Sequence, residues 1–332
     1  MSGRFQELQA WTADALQLAA VDLQALPADA SFRRYFRVQH GDRSFVVMDA
    51  PPAREDCRPY VKVAGLLKAA GLHAPEVLAQ DLKRGYLLLS DLGRQCYLDA
   101  LQHGDADALF ADAISALVRW QCSTRPDVLP QYERALLRRE LNLFPEWYLA
   151  RHLGVTLDAA GQAQLHAVFG LLEDSALAQA RVFVHRDYMP RNLMVSTPNP
   201  GVLDFQDALY GPITYDVATL FKDAFISWSA AQIERWRRQY WQQARSAGLP
   251  LPEFGEFARA CDWIGMQRHF KVLGIFARLN YRDGKPDYLK DTKRFLNYVC
   301  ETGARYREFT PLLKLLDAVE NRAQRAAVVT CW

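Results

Sequence analysis

VHRDYMPRNLMV, residues 184–195, places three chemically useful side chains in one polar loop between two apolar runs. His185, Asp187 and Asn192 have the spacing H-x-D-x-x-x-x-N. In catalytic loops with this spacing, the aspartate is a base and the asparagine binds a metal ion. Because three polar residues can also share a turn by chance, a charged structural turn is an equally good interpretation of this stretch alone.

A second carboxylate follows at a fixed offset. Asp204 comes directly after the apolar run GVL and begins the tripeptide Asp-Phe-Gln. Phosphoryl transfer requires a carboxylate that orients the attacking hydroxyl, and oxygen ligands that hold Mg²⁺ against nucleotide phosphates. An amide and a carboxylate on neighbouring strands suit Mg²⁺, which prefers octahedral oxygen coordination. Asp187 is therefore the candidate base, and Asn192 and Asp204 are the candidate metal ligands.

The composition of the 332 residues limits the classes of partner. Half of the residues are hydrophobic, and 40 Lys and Arg against 38 Asp and Glu give a formal net charge of +2. We therefore expect a globular protein without the basic surface that nucleic-acid binding requires. Six scattered cysteines without a CxxC pair are typical of a reducing compartment. No stretch has the apolar pattern of a signal peptide or a membrane span, so we expect a cytoplasmic protein without a membrane partner.

The hydrophobic pattern changes near residue 93. Residues 31–51 and 76–93 have the alternation of two hairpins, with strands near 33–39 and 43–49 in the first, and helical patterns cover 5–20 and 58–70. Beyond Gly93 the pattern is helical, except for strand-like runs between 181 and 206. This order predicts an α+β fold with a small β-rich lobe, 1–92, and a mostly helical lobe, 93–332. The later helices are predicted at 105–122, 131–152, 158–177, 230–247, 254–280 and 289–306.

Three stretches carry a resemblance to a known family: VFVHRDYMPRNLMV, GVLDFQDALYGPITYDVATL and YLLLSDLG. They resemble the aminoglycoside phosphotransferase and choline kinase superfamily, which has a protein-kinase-like bilobal fold and uses ATP and Mg²⁺. Within it, HRDYMPRNLM, LDFQDALYGPITYD, DASFRRYFRV and VVMDAPP resemble the bacterial anomeric kinases of N-acetylmuramate and N-acetylglucosamine. Those enzymes make sugar 1-phosphates in peptidoglycan recycling. The resemblance covers essentially the whole chain.

The resemblance implies the same base and metal ligands as the spacing does. It also implies that His185 and Arg186 brace the loop, and that Asp216 begins a helix that supports the loop. A simple carboxylate at a helix N-terminus is a nearly equivalent interpretation of Asp216. Asp207 lies close enough in sequence to Asp204 to influence the metal site.

The phosphate-binding part of the first lobe departs from the protein-kinase pattern. SFRRYFRV, residues 31–38, stands where a G-x-G-x-x-G loop is expected, and Met48-Asp49 stands where the strand lysine is expected. Arginine can replace that lysine because its planar guanidinium binds phosphate oxygens in pairs. Strand alternation places Arg33 and Arg37 on one face and Arg34 on the other, and a solvated strand face is the alternative for each arginine. The candidate phosphate contacts are Ser31, Arg33, Arg34 and Arg37, with Arg43 as a further substitute for the lysine.

The expected adenine site lies near Ser90 and Leu92, after the apolar run YLLL. In the superfamily this position offers backbone hydrogen bonds between the lobes. Backbone recognition leaves little side-chain pattern, so the expectation rests on position along the chain.

The acceptor pocket is expected in the helical lobe, at 140–148 and 268–285. From Cys261 to Tyr298 there are eight Lys or Arg against four Asp or Glu, which suits a sugar with a carboxylate better than a polycationic aminoglycoside. Aromatic side chains nearby can pack on a sugar face. The alternative is that these residues are surface charges and core aromatics. The candidate acceptor contacts are Glu140, Trp147, Arg268, His269 and Asp283.

Three functions are compatible with these features. The first is an ATP-dependent kinase that phosphorylates the C1 hydroxyl of N-acetylmuramate and N-acetylglucosamine, without an obligate protein partner. The second is an aminoglycoside-type or choline-type kinase with another hydroxyl acceptor, which would share every nucleotide feature. The third is a non-catalytic nucleotide-binding scaffold, suggested by the missing lysine and opposed by the presence of the base and both metal ligands.

Overall fold

A computed structural model of the protein describes residues 3–27 and 31–329, with side chains up to residue 322. The chain forms two compact units, one comprising Met1–Ser123 with Pro190–Ala208 and the other Thr124–Met189 with Leu209–Trp332. The expected lobe boundary lies at residues 92 and 93. The first unit instead continues to Ser123 and also includes a separate segment of the chain.

The first unit contains an antiparallel five-stranded sheet in the order β1-β2-β3-β5-β4. The pairing of β2 with β3 and of β4 with β5 confirms the two predicted hairpins. Gly41 forms the first turn with a φ of 57°, a conformation that glycine adopts readily. The strands are β1 (Gln24–Ala25), β2 (Arg34–His40), β3 (Arg43–Asp49), β4 (Val77–Asp81) and β5 (Tyr86–Ser90).

One face of this sheet is covered by helix α1 (Gly3–Ala15), which ends earlier than the predicted residue 20. Gln17 has a left-handed φ of 56°, which stops the helix. Leu8 of α1 packs with inward-facing Phe36, Val38 and Val47, all of them buried. Because strand side chains alternate, the opposite sheet face is left to line a cavity.

The rest of the first unit consists of helices and one short hairpin. Strands β7 (Leu193–Met194) and β8 (Gly201–Val202) pair in antiparallel fashion. A 3₁₀ turn, Pro190–Asn192, leads directly into β7. The helices are α2 (Arg58–Ala69), α3 (Tyr97–Ala100) and α4 (Ala106–Cys122).

The second unit is built around helix α9 (Phe254–Asp283), which has 30 residues, most of them buried from Cys261 onward. Gly274 allows close approach to the preceding helix, because a Cβ there would lie 2.3 Å from the carbonyl carbon of Leu143. The other helices are α5 (Arg134–Leu143), α6 (Ala159–Leu177), α7 (Tyr215–Phe221), α8 (Ala230–Ser246), α10 (Thr292–Gly303) and α11 (Thr310–Val329).

Two predicted elements of this unit are corrected by the structure. The single helix expected at 131–152 divides into α5 and a π-helical segment, Phe144–His152, whose second residue, Pro145, has no N–H for a regular helical hydrogen bond. Strand β6 (Arg181–Val184) pairs with β9 (Leu209–Pro212), a strand that the sequence pattern did not predict. Across residues 3–27 and 31–329, no helix combines the length and apolar character needed to cross a membrane.

Candidate active site

The loop of residues 185–189, which carries Asp187 and which we call the candidate catalytic loop, begins directly after β6 and is anchored to the start of α7. Asp216, in the first turn of α7, accepts hydrogen bonds from the backbone N–H of His185 at 2.7 Å and of Arg186 at 2.9 Å. Its carboxylate therefore fixes the backbone immediately before Asp187. The supporting role expected of Asp216 is confirmed.

The Asp216 side chain is completely buried. Burial raises its pKa to about 7, because desolvation disfavours the charged form and outweighs the two backbone N–H groups that favour it. The negative charge of Asp187 acts in the same direction as burial, and Arg268 opposes it. The anchor of the loop is thus a carboxyl group that titrates near neutral pH.

Arg186 connects the loop to a buried charge cluster, which we define as Tyr132, Glu140, Arg186, Gln267 and Lys271. The Arg186 guanidinium donates to the Glu140 carboxylate, which also accepts from the Tyr132 hydroxyl. Lys271 Nζ lies 3.3 Å from Glu140, and the Gln267 amide donates to it at 3.2 Å. Burial alone would raise the pKa of Glu140, but the two cations hold it at about 2.

This cluster accounts for Glu140, which the sequence placed among the acceptor contacts. Its side chain is only 6% exposed and is occupied by partners from the second unit. The cluster also supports Arg186 in a left-handed backbone conformation, with a φ of 77°. Such a conformation is unfavourable for a residue other than glycine, so it indicates a backbone held by its surroundings.

Asp187 itself is accessible, with 34% of its side chain exposed. Arg268, on α9, places Nη2 3.9 Å from Asp187 Oδ1 and 3.8 Å from the Sδ of Met189. A carboxylate that is reachable from solvent can contact a substrate hydroxyl and accept its proton. Arg268 is thus the acceptor-pocket candidate that the structure shows beside Asp187.

The other acceptor candidates occupy different surroundings. His269 is buried between the rings of Phe295 and Tyr298, and burial holds its pKa well below the ordinary value. Trp147 is half-buried against the apolar core of the second unit. Asp283 ends α9 and pairs with Arg282 at 2.8 Å. These positions fit the alternative of core aromatics and surface charges.

The two candidate metal ligands lie together in the first unit. The Asn192 amide lies 3.2 Å from Asp204 Oδ2, and the Leu203 N–H donates to the Asn192 carbonyl at 2.9 Å. Gln206 donates to Asp204 Oδ1 at 2.8 Å. Asp204 has a left-handed φ of 61°, a second strained position in the candidate site.

This donor set fits a magnesium ion that is shared with phosphates. In the part of the chain that the structure describes, no group of three or more His, Cys, Asp or Glu side chains could hold a metal alone. One carboxylate and one amide oxygen can supply two of the six ligands, and Mg²⁺ commonly takes the others from water and phosphate. The residues present therefore match a nucleotide-associated ion.

A cavity of about 710 Å³ opens on the uncovered face of the sheet in the first unit. Its apolar wall includes Tyr35, Val46 and Leu89, and Tyr60 packs against Phe205 with ring centroids 4.7 Å apart. Asn192 and Asp204 line the same cavity, as does Asp207. The volume and the mixture of aromatic and polar groups suit a nucleotide.

The polar residues of this cavity agree with most of the sequence candidates. Ser31, Ser90 and Leu92 line it, and the backbone N–H and C=O of Leu92 have no hydrogen-bond partner among the described residues. Arg33 lines it while paired with Glu55 at 2.9 Å, and Arg37 does so while paired with Asp91 at 2.6 Å.

Arg34, which was expected to contact phosphates, does not line the cavity. Strand alternation turns its side chain to the opposite sheet face, where it pairs with buried Asp49. Arg4 binds the same carboxylate at 2.6 Å. Tyr35, Tyr60 and Asp91 also line the cavity but were not among the candidate contacts. Strand alternation, which places Tyr35 on the same face as Arg33 and Arg37, was the available signal for Tyr35.

Comparison with known proteins gives consistent results. The family model described as "Phosphotransferase enzyme family" matches residues 22–254. The chain is 55% identical to the N-acetylmuramate/N-acetylglucosamine kinase of Pseudomonas aeruginosa, in an alignment that covers 97% of this chain and 98% of that protein. It is 53% identical, with the same coverage, to the protein of that name from Pseudomonas putida.

Solved structures add a comparison of fold. The choline kinase LicA from Streptococcus pneumoniae matches with a TM-score of 0.60 at 14% identity, covering 90% of this chain and 100% of that one. The match confirms the predicted α+β, protein-kinase-like fold class.

Proposed function

The chain belongs to the phosphotransferase enzyme family, and from that premise we propose that it is an ATP-dependent kinase of N-acetylmuramate and N-acetylglucosamine. The observation that carries the proposal is 55% identity, over nearly the whole of both chains, to a kinase of that name. The accessible Asp187 on its anchored loop supports the same reading. The proposed product is the sugar 1-phosphate, and the proposed setting is peptidoglycan recycling in the cytoplasm.

In the proposed reaction the anomeric hydroxyl attacks the γ-phosphorus of ATP in line with the leaving group. A new bond forms between the C1 oxygen and phosphorus, and the bond from phosphorus to the β–γ bridging oxygen breaks, with its electron pair leaving on ADP. Asp187 orients the hydroxyl and accepts its proton. Asp216 and the buried charge cluster keep Asp187 in position, which lowers the entropic part of the barrier.

We assign the nucleotide to the cavity of the first unit. Tyr35, Val46 and Leu89 offer an apolar wall for the adenine, and the unpartnered backbone groups of Leu92 offer hydrogen bonds to its edge. Arg33 and Arg37 are the proposed phosphate contacts, and Ser31 lies at the same wall.

Asn192 and Asp204 are the residues that would hold Mg²⁺. When bound, the ion neutralises charge on the phosphate oxygens and fixes their orientation. Gln206 steadies the Asp204 carboxylate through its amide at 2.8 Å. The left-handed backbone at Asp204 supports a role in which one carboxylate direction must be maintained.

The test is sugar-dependent release of ADP. We expect the wild-type protein to phosphorylate both sugars and Asp187→Asn to lose at least about 1,000-fold in kcat, because a base and its orientation are removed together. Phosphorus NMR of the product should show a phosphate on C1. A phosphate on C6 contradicts the anomeric assignment.

A parallel screen of choline and aminoglycosides tests the acceptor class. If the protein phosphorylates choline or an aminoglycoside but neither sugar, the proposed acceptor is wrong and the protein is a kinase of another acceptor. Nucleotide binding without turnover of any acceptor indicates a scaffold.

A further inference from the structure

Arg268 is a buried arginine whose hydrogen-bonding capacity is largely unused. Its residue is 4% exposed. Its Nη2 makes the two long contacts, to Asp187 and to Met189, described above. Its Nη1 is buried and has no hydrogen-bond partner within the described part of the chain. A guanidinium carries five N–H donors, so most of its binding capacity is unfilled.

The carboxyl groups of Asp187, Asp216 and Asp223 interact electrostatically with Arg268, but the contacts of the described residues include no hydrogen bond from its guanidinium to any of them. A buried cation needs an anionic partner and filled hydrogen bonds, and an unfilled donor costs about 1–3 kcal/mol. The separation of 3.9 Å from Asp187 is longer than a direct hydrogen bond, so the ion pair does not satisfy the guanidinium. Arg237 of the same unit also has one buried nitrogen, Nε, without a partner among the described residues, but its Nη1 donates to Asp262 at 2.8 Å, a direct contact to a carboxylate that Arg268 lacks.

We propose that Arg268 is a catalytic residue that binds the phosphoryl group while it is transferred. The inference rests on the proposed function, in which Asp187 contacts the attacking hydroxyl. That hydroxyl lies about 3 Å from Asp187, and the phosphorus about 3 Å beyond it. A guanidinium 3.9 Å from the same carboxylate is within reach of the phosphoryl oxygens. An arginine in this role stabilises the negative charge that spreads over those oxygens.

The carboxylate of N-acetylmuramate is the other anion that could bind there. N-acetylglucosamine has no such carboxylate, yet it is the second proposed substrate. An arginine dedicated to the carboxylate would then remain buried and unpaired beside the reacting atoms whenever that sugar bound. The phosphoryl group is common to both reactions, so it is the partner that satisfies Arg268 in each.

The experiment compares Arg268→Met and Arg268→Lys with Arg259→Met. Arg259 is a matched control, because it lies on the same helix but is half-exposed and pairs with Glu308. We expect Arg268→Met to lower kcat by at least about 100-fold with both sugars, at every pH from 6 to 9, and KM for the sugar to change little. Arg268→Lys should recover part of the loss, and the control should match the wild type.

A binding measurement without nucleotide tests the same contact independently. By titration calorimetry, Arg268→Met should bind N-acetylglucosamine 1-phosphate at least about 10-fold more weakly than the wild type, while binding of N-acetylglucosamine stays within about 3-fold. Inorganic phosphate serves as a probe that does not depend on the acceptor. Circular dichroism and thermal unfolding verify that each variant is folded.

Each contrary outcome has a distinct meaning. A loss of kcat confined to N-acetylmuramate assigns Arg268 to the substrate carboxylate and overturns the inference. Unchanged kcat in Arg268→Met, with an active wild type, overturns the inference and leaves the proposed function intact. A wild type that turns over neither sugar overturns the proposed function, and phosphate binding then decides the inference alone.

Discussion

Arg186 and Asp204 both have left-handed backbone conformations, with φ of 77° and 61°. For a side chain other than glycine, such a conformation costs about 1–2 kcal/mol. The hydrogen bonds that could maintain them come from Asp216 in one case and from Asn192 and Gln206 in the other. At both residues the unfavourable backbone conformation lowers the stability of the fold, and it fixes the direction of a neighbouring carboxylate, that of Asp187 in one case and that of Asp204 in the other.

The substitution Asp216→Asn tests whether the buried carboxyl group that anchors the loop titrates near neutral pH. The quantity to compare is the free energy of unfolding at several pH values. Because burial raises the pKa of Asp216 to about 7, its favourable contribution is complete below its ordinary pKa near 3.8 and is lost as pH rises through 7. The free energy of unfolding of the wild type should therefore fall relative to that of Asp216→Asn between pH 5 and pH 8. Urea unfolding at four pH values measures the difference.

A flat difference between pH 5 and pH 8 would contradict this account. It would mean that the backbone N–H groups and Arg268 hold the pKa of Asp216 at or below its ordinary value, so that the carboxyl group is ionised in both the folded and the unfolded state throughout this range. Comparing the two proteins at each pH removes the contribution of every other titrating group that the substitution leaves unchanged.

The candidate base and the candidate metal ligand of the loop could be proposed from the sequence because their spacing is local. Asp187 and Asn192 are five residues apart, and their spacing alone predicted a base and a metal ligand. The partners of the arginines could not be predicted in this way, since Arg37 pairs with a residue 54 positions away and Arg186 with one 46 positions away. No periodicity in one sequence reports such tertiary contacts.

At the scale of elements, three segments contribute to the buried charge cluster: α5 carries Glu140, α9 carries Lys271, and the candidate catalytic loop carries Arg186. Glu140 pairs with both cations, but only Arg186 belongs to the loop. Removing either cation leaves Glu140 with one cationic partner, so no unpaired carboxylate is buried. Replacing Arg186 or Lys271 by an uncharged residue therefore removes the same charge. Only the replacement of Arg186 breaks the connection between the loop and Glu140.

We expect Arg186→Met to lower kcat by about 10- to 100-fold, because a loop displaced by a fraction of an ångström misplaces Asp187. Lys271→Met should keep kcat within about 3-fold, since Glu140 still holds Arg186. Steady-state kinetics and thermal unfolding of both variants provide the measurement. Equal losses of kcat at equal stability would show that the cluster acts through its total charge and not through the loop.

The long strands followed their sequence patterns better than the short ones. Strands β2 and β3 have seven residues each, enough for alternation to define their faces and register. Strand β9 has four residues and ends in proline, so alternation had too few positions to detect it. The π-helical segment was also missed, because residues 144–152 keep enough helical spacing to resemble a continuation of α5.

At the scale of the whole molecule, the proposal assigns nucleotide binding to the first unit. A ligand that binds only the native state stabilises it by about 2.7 kcal/mol at 100 times its Kd. Val46→Trp should remove most of this effect for ADP with Mg²⁺, because Val46 lines the cavity and the larger ring fills it. Thermal unfolding with and without ADP measures the effect.

Gln39→Trp is the control, since Gln39 is exposed on the neighbouring strand and lies outside the cavity lining. It should retain the full stabilisation by ADP. If Val46→Trp keeps it too, the nucleotide is bound elsewhere.

Because the first unit is formed by two separate segments of the chain, its parts are synthesised at different times. The first unit is discontinuous: after Ser123 it lacks β7, β8 and the residues Asn192 and Asp204 until positions 190–208 have been added. All five strands of the sheet have been made once Ser90 is added, but the ribosome must produce a further 118 residues before the unit reaches Ala208. During translation, the strands of the sheet are therefore made well before the segment that carries the candidate metal-binding side chains.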